Sequence, residues 1–340
     1  MSKINKIVLI TGCAGFIGAA LAKRFLNDNF KVIGIDNIND YYDQNLKLSR
    51  LKDIKDLASN KIKDCWSFYK ISIDNMEALE DIFLKNKPDI VVNLAAQAGI
   101  RFSIKNPDLY FQSNLKGFFN ILENCRKYKI GHLVYASSSS VYGANLNYPF
   151  SEKHNTNTPL SFYAASKISN EMMAYSYSNI YNLPITGLRY FTVYGPWGRP
   201  DMAPMIFSRK IFLKQPITLF NYGNMSRDFT YIDDIVEGTY LCSLKPPNLS
   251  LESNNKSIKV PNKIFNIGFG KPVNLDYFVE LLENQLSISA LKKYESIQPG
   301  DVVKTFADTT NLEKWINYKP KVSIEDGVKR FAKWFLDYYS

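Results

Sequence analysis

Unbroken apolar runs alternate with amphipathic stretches through the first half of the chain. Lys6-Ile-Val-Leu-Ile-Thr11 shows no polar alternation, the pattern of a strand covered on both faces in a parallel sheet. The stretch 19–26 then repeats apolar residues at helical spacing. The couplet recurs, with strands at 31–35, 67–71, 89–93, 131–135 and 184–190 and helices over 76–86 and 106–128. In 106–128 the apolar positions are Leu115, Phe118, Phe119, Ile121 and Leu122, which read as an ordinary core stripe. Strand–helix alternation of this kind predicts an α/β protein with a doubly wound parallel sheet. The last third mixes short strands and helices. Ile217 to Phe220 is strand-like, and 245–263 is a surface loop rich in Pro, Asn and Ser. Ile324, Val328, Phe331, Trp334 and Phe335 form the packing stripe of a final helix.

The first strand runs at once into Gly12-Cys-Ala-Gly15-Phe-Ile-Gly18. Strand, Gly-x-x-Gly-x-x-Gly, helix is an arrangement that seats a pyrophosphate. Glycines let the backbone turn and approach, and the free N–H groups and dipole of the helix start favour an anion. The second strand ends in Asp36, 18 residues beyond Gly18. A carboxylate there accepts from both ribose hydroxyls and repels a 2′-phosphate, so NAD is expected over NADP in a Rossmann-type half. A glycine turn with no ligand is the bland alternative; the flanking strand, helix and acid argue against it.

The fifth strand runs into Ala136-Ser-Ser-Ser-Ser-Val-Tyr-Gly143, at the end of the sheet where open α/β folds bind ligands. Further on, Ser161-Phe-Tyr163-Ala-Ala-Ser-Lys167 puts Tyr163 and Lys167 one helical turn apart. Each signal is weak alone, since a serine run is usually a loop and Tyr-x-x-x-Lys usually a surface pair. Behind a glycine loop and a ribose acid they acquire a use. A phenol titrates near pH ~10. An ammonium one turn away lowers that value and makes Tyr163 a base that works near neutral pH. The strand-end serines point to where that reaction should take place. Asn170 and Glu171 read as helix surface. A serine-hydrolase reading fails, because neither His132 nor His154 accompanies a Gly-x-Ser-x-Gly elbow.

Composition narrows the class. A chain of 340 residues, 46% hydrophobic and 14% aromatic, is globular and long enough for one large domain or two smaller ones. No apolar run reaches the ~18 residues of a membrane span, and no signal-peptide segment precedes the first strand. Cys13, Cys65, Cys125 and Cys242 are scattered, and with two histidines they argue against a zinc site and for a reducing cytoplasm. No metal is expected. The net charge of +10 comes from dispersed lysines, which does not suit nucleic acid. A solvated basic surface is the simple reading, and steering of a polyanionic small molecule is the other.

The glycine spacing, the serine run and Tyr-x-x-x-Lys together resemble the extended branch of the short-chain dehydrogenase/reductase superfamily. Four longer motifs run in family order along nearly the whole chain: Asp36-Asn-Ile-Asn-Asp-Tyr-Tyr42, Asn93-Leu-Ala-Ala-Gln-Ala-Gly-Ile-Arg101, Phe191-Thr-Val-Tyr-Gly-Pro-Trp-Gly-Arg-Pro-Asp-Met202 and Arg227-Asp-Phe-Thr-Tyr-Ile-Asp-Asp234. They look like UDP-glucuronate 4-epimerases. The resemblance implies a NAD-binding Rossmann domain over 1–190. A smaller mixed α/β part over 191–340 would bind the UDP-sugar, with some chain crossing back to the core. It implies reversible conversion of UDP-glucuronate to UDP-galacturonate through a 4-keto sugar and transient NADH, feeding surface polysaccharide.

The resemblance also implies site residues. Tyr163, Lys167 and Ser138 form the catalytic trio. Ser138 follows from alignment back from Val141-Tyr142, and the choice among residues 137–140 stays open. Lys167 would also hold the nicotinamide ribose. Gly12, Gly15, Phe16, Ile17, Gly18, Asp36 and Asn37 surround the cofactor, with Ile73 and Asp74 at the adenine. Leu94, Ala95, Ala96, Gln97 and Asn114 lie along its pyrophosphate–nicotinamide side. Ser139 and Ser140 stand next to the sugar. A uronate needs a cation for its carboxylate, and an arginine fork grips both oxygens. Arg199 is the first choice, with Thr192 as hydroxyl partner and Arg101 as the alternative. Arg227 would meet the diphosphate with Asp301 nearby, and strand 217–220 would lie against uracil. Helices 106–128 and 160–180 would build a homodimer. Sister dehydratases and decarboxylases carry an acid where this chain has Ser138-Ser139-Ser140, and a galactose-type epimerase has no carboxylate to bind. An N-acetyl-hexosaminuronate 4-epimerase would differ by room at C2. A non-catalytic NAD-binding scaffold or sensor would tend to lose the tyrosine or the lysine.

Overall fold

Along the chain, β1 (Ile7–Thr11), α1 (Phe16–Asn27), β2 (Lys31–Asp36), α2 (Gln44–Ser59), β3 (Trp66–Lys70), α3 (Met76–Asn86) and β4 (Ile90–Asn93) repeat the strand–helix couplet. Next come α4 (Ile100–Lys105), α5 (Pro107–Tyr110), a π-helical stretch (Phe111–Lys116), α6 (Gly117–Lys127), β5 (His132–Ser138), α7 (Phe162–Tyr181) and β6 (Ile185–Tyr190). The rest comprises β7 (Thr192–Tyr194), α8 (Ala203–Phe212), β8 (Ile217–Phe220), β9 (Ser226–Tyr231), α9 (Ile232–Ser243) and β10 (Asn262–Ile267), then β11 (Pro272–Asn274), α10 (Leu275–Leu286), β12 (Lys292–Glu295), α11 (Thr310–Ile316) and α12 (Ile324–Tyr339). The computed structural model describes residues 6–248, 260–298 and 300–339, so much of the expected 245–263 loop lies outside the described residues.

Among the described residues, seven parallel strands form one sheet in the order β10-β6-β5-β4-β1-β2-β3. The chain steps outward from β1 to β3 and then returns to β4. That reversal opens a crevice at the carboxyl ends of β1 and β4, where a dinucleotide site belongs. Successive strand residues serve opposite faces. Val8 and Ile10 share a core with Phe25 of α1 and Tyr240 of α9, whereas Leu9 shares one with Phe83 of α3 and Ile121 of α6. Two covered faces explain why the strands read as unbroken apolar runs.

The structure departs from the sequence reading in four places. The 106–128 helix is three pieces, because Pro107 starts α5 and the π-helical stretch precedes α6. The extra backbone residue in such a turn re-aims side chains, and Asn114 within it is buried. Asn170 and Glu171 are not helix surface: they are 2% and 1% exposed, Asn170 donating to Asn114 O of the π-helical stretch and Glu171 meeting Ser137 and Arg189 of the sheet. α2 is an unforeseen helix, started by Asp43, whose carboxylate accepts from Asn45 N. The loop ending at Lys263 gives way to β10, which pairs with β6 with Ile264 opposite Gly187.

The smaller part holds the sheet β11-β9-β7 and the pair β12-β8. Its packing residues Phe229, Phe278 and Phe331 belong to the same core as Val8, so the two parts share apolar interior. No helix among the described residues is long and apolar enough to cross a membrane.

Candidate active site

The glycine turn sets the cofactor end. Gly12 has φ +71°, and a Cβ there would stand 2.8 Å from Ala95 N. A Cβ on Gly18 would stand 2.1 Å from Gly12 O. Only glycine therefore lets the β1–α1 turn close on its own helix while the loop after β4 crosses it. α1 starts at Gly15 with no side-chain cap and no acid in its first turn, so its leading N–H groups suit an anion. Asp36 is fixed beside them: its carboxylate accepts from Ile38 N at 2.8 Å and Ala14 N at 3.1 Å. Burial pushes the Asp36 carboxyl up, opposed by those N–H groups and by the charges of Lys47 and Arg50. A backbone anion seat beside a fixed carboxylate fits NAD.

From this turn a cavity of ≈ 970 Å³ runs to the smaller part of the molecule. It is walled by every residue assigned above to cofactor or sugar except Asp74 and Asn114. Ile71, Ser72 and Ile73 line the cavity where the resemblance implies adenine, but Asp74 does not. Asn114 lies behind the wall. Its side chain accepts from Gln97 N at 2.8 Å and donates to Gln97 O and Ser166 Oγ, each at 3.0 Å, so it holds the loop that lines the cavity.

At the centre, α7 and the end of β5 bring Tyr163, Lys167 and Ser138 together. Ser161 caps α7 by accepting from Ala164 N at 3.1 Å, which fixes the helix start beside Tyr163. Tyr163 is half-buried. Burial raises its phenol pKa, opposed by the Ser138 hydroxyl and then by the charge of Arg199. A lowered value was expected; removal from water outweighs the Ser138 hydroxyl and the Arg199 charge. The Lys167 ammonium stands 5.9 Å from the Tyr163 ring and donates to Ala136 O at 2.8 Å. Burial pushes it down to about 8, opposed by the Glu171 carboxylate.

Ser137 and Ser138 separate by partner. The Ser137 hydroxyl donates to Glu171 at 2.5 Å, whereas Ser138 Oγ accepts from Ser140 N at 3.1 Å and keeps its own proton to donate. Glu171 is gripped by Arg189 through two bonds, Nε–Oε1 at 2.9 Å and Nη2–Oε2 at 2.7 Å.

At the far end, Arg199 pairs with Asp201, the side chains being 24% and 28% exposed. Arg227 donates to Ser226 O at 2.9 Å and Val303 O at 3.2 Å. Asp301 pairs with Arg101 at 2.6 Å, and the Arg101 guanidinium lies 4.5 Å from the Phe220 ring. Sequence reasoning missed Asn39, Tyr41, Lys47 and Asp201, all of which line the cavity. The Asp43 cap with Leu46, Arg50 and Ile54 recurring one turn apart was the available sign of α2. Nothing local marks Asp201 as a partner of Tyr41.

A parallel sheet with a glycine turn, and with serine, tyrosine and lysine around one cavity at its carboxyl end, defines a dinucleotide-dependent enzyme of short-chain dehydrogenase/reductase type. The model of the NAD dependent epimerase/dehydratase family matches residues 8–268, and the chain belongs to that family. It is 50% identical over 337 residues to Protein CapI of Staphylococcus aureus, covering 98% of this chain and 99% of that one. It is 41% identical over 333 residues to a probable UDP-glucuronate 4-epimerase of Rhizobium meliloti, covering 96% of each. The crystal structure of UDP-glucuronic acid 4-epimerase from Bacillus cereus in complex with UDP-glucuronic acid and NAD superposes with a TM-score of 0.86 at 31% identity, covering 98% of this chain and 100% of that one.

Proposed function

We propose that this chain inverts C4 of UDP-glucuronate reversibly, giving UDP-galacturonate, with NAD as its resident cofactor. One observation carries the reading. A single cavity sets Tyr163, Ser138 and Lys167 together with Arg199 and Thr192, placing hydroxyls suited to a carbinol alongside a cation suited to a carboxylate. The Rhizobium meliloti relative and the ligands of the Bacillus cereus structure support it.

When bound, NAD supplies a two-electron acceptor at the sugar C4 and a positive ring charge that favours the nearby phenolate. Tyr163 takes the 4-hydroxyl proton and later returns it. Ser138 donates to the same oxygen as charge develops there. Lys167 keeps positive charge beside the phenol and reaches the ribose. Arg227 holds the diphosphate, about which the 4-keto sugar turns to show its other face, so no net oxidation results. A 4-keto uronate is a β-keto acid and is prone to lose carbon dioxide. Arg199 and Thr192 hold the carboxylate out of that alignment.

The protein is further read as a cytoplasmic homodimer whose product feeds surface polysaccharide. Its described cysteines are free and buried. Phe119 of α6 and Met172 and Tyr175 of α7 expose 43%, 58% and 52% of their surface, apolar area suited to a second copy. The test is incubation, without added NAD, with UDP-glucuronate, UDP-galactose and their N-acetyl counterparts. Epimerised product from UDP-glucuronate is expected. Turnover confined to another member of the panel, or of none, overturns the reading.

A further inference from the structure

The Arg199 guanidinium does not enter the cavity as a free fork. Its Nε donates to Asp201 Oδ1 at 3.1 Å and its Nη2 to Asp201 Oδ2 at 2.5 Å. Asp201 Oδ2 also accepts from the Tyr41 hydroxyl at 3.0 Å. Tyr41 comes from the segment between β2 and α2, directly after the ribose acid Asp36. Its ring packs 4.8 Å from Phe102. The space around its hydroxyl depends on Gly99, where a Cβ would stand 2.6 Å from the Tyr41 oxygen.

A second tie runs in parallel. Arg50 of α2 is 1% exposed. Its Nη2 donates to Trp197 O at 2.6 Å and Gly198 O at 3.3 Å, the carbonyls just before Arg199. Its Nη1 donates to Ala14 O at 3.0 Å, in the glycine turn, and to the Tyr42 hydroxyl at 2.7 Å. The loop bearing Arg199 is thus held, backbone and side chain, by the stretch 41–50, and that stretch is anchored to the dinucleotide turn.

A guanidinium has five N–H donors in a planar fork. Asp201 takes the side edge, Nε with one N–H of Nη2. The end edge, made by Nη1 and the other N–H of Nη2, is what a second carboxylate can grip with two bonds. Asp201 also cancels much of the arginine's charge, so what remains to direct a carboxylate is mainly the angle of that edge.

We propose that Asp201 and Tyr41 are positioning residues: they fix which edge of Arg199 meets the substrate carboxylate, and so whether the 4-keto uronate is epimerised or decarboxylated. This rests on the reading that Arg199 takes the uronate carboxylate. In decarboxylation the C5–C6 bond breaks, its electron pair passes into the 4-keto group as an enolate, and C5 then takes a proton from water. Carbon dioxide and UDP-4-keto-pentose are the products, the two electrons from C4 staying on the cofactor as NADH unless they return to C4 and leave a UDP-pentose. The bond breaks readily only when it stands perpendicular to the carbonyl plane, so tilting the carboxylate matters more than weakening its hold.

The test uses the full-length holoenzyme with UDP-glucuronate, comparing Asp201→Asn, Tyr41→Phe and Arg199→Ala with the parent. Steady-state rates give kcat and KM, and NMR of the products gives the ratio of UDP-galacturonate to decarboxylated UDP-4-keto-pentose and UDP-pentose taken together. Losing a positioning bond to a charged group is expected to lower kcat about tenfold in Asp201→Asn, with KM unchanged or lower because Arg199 is less neutralised. The pentose fraction should rise. Tyr41→Phe keeps the ring packing and should shift the ratio in the same direction by about threefold. If both variants keep the parent's kcat, KM and product ratio while Arg199→Ala is crippled, the positioning role falls and the arginine's role stands. A fall in kcat with an unchanged ratio and KM marks a merely structural contact and also overturns it. Parent-like kinetics in Arg199→Ala would overturn the carboxylate reading itself.

Discussion

Arg189 and Arg199 make the same contact in two settings. Each presents Nε and Nη2 to both oxygens of one carboxylate, Glu171 for the first and Asp201 for the second. The Arg189 pair is 4% and 1% exposed, whereas the Arg199 pair is 24% and 28% exposed and lines the cavity. Around the sealed pair the polar groups are used internally. Ser137 bonds Glu171, Arg189 Nη1 donates to the Tyr142 hydroxyl at 3.0 Å, and Tyr142 donates to Asn266 at 2.6 Å. That chain joins α7, β6, the serine turn and β10. One geometry therefore serves either to hold elements together or to orient a group for a ligand, and burial decides which.

The largest effect that would break this contrast lies in the sealed pair. Removing one partner strands a buried charge, so Glu171→Ala should cost about 3–5 kcal/mol, read from the midpoint of urea denaturation. A loss below about 1 kcal/mol would show that the pair is not the brace described. Arg199→Ala should leave stability within about 1 kcal/mol of the parent, because its surroundings are wetter. It should nevertheless lower kcat/KM on UDP-glucuronate by about a hundredfold. A protein that unfolds instead would erase the distinction.

A smaller effect sharpens the contrast through pH. The folded Lys167 ammonium is depressed to about 8. Its burial therefore weakens the fold in full below that pH, and the penalty is relieved as pH rises towards the ordinary lysine value. Turnover runs the other way, falling as pH rises through about 8 and the ammonium loses its proton. Glu171 opposes the depression, so Glu171→Gln should move the alkaline limb of kcat to lower pH; an unmoved limb would remove Glu171 from the electrostatics of the site. The smallest effect belongs to the rim pair Arg101–Asp301, where Arg101 is 51% exposed. Asp301→Asn should change stability by less than about 1 kcal/mol.

The cofactor half was legible because its signals are local. Unbroken apolar runs mark strands covered on both faces, and the Gly12–Gly18 spacing is forced by backbone approaches that leave no room for a Cβ. That Tyr163, Lys167 and the serine run share one cavity was legible from one turn of helix and one strand end. What stayed hidden depends on distant partners. Glu171 read as surface because nothing beside it in sequence shows Arg189 across the sheet. Asp201 meets Tyr41 directly at the cavity wall, between residues 160 apart in sequence. The raised Tyr163 phenol was missed because spacing reveals a neighbouring charge but not the depth of the wall around it.

β10 bears on how the chain is made. It covers the edge of β6, a strand buried along its whole length, yet it is translated only after α8, β8, β9 and α9. Until it leaves the ribosome, β6 offers unpaired N–H and C=O groups to any passing strand, the condition under which nascent chains aggregate or engage chaperones. The Tyr142–Asn266 bond likewise waits for β10. A gene product halted at residue 190 would thus carry every glycine of the dinucleotide turn and still be a sticky, unfinished sheet.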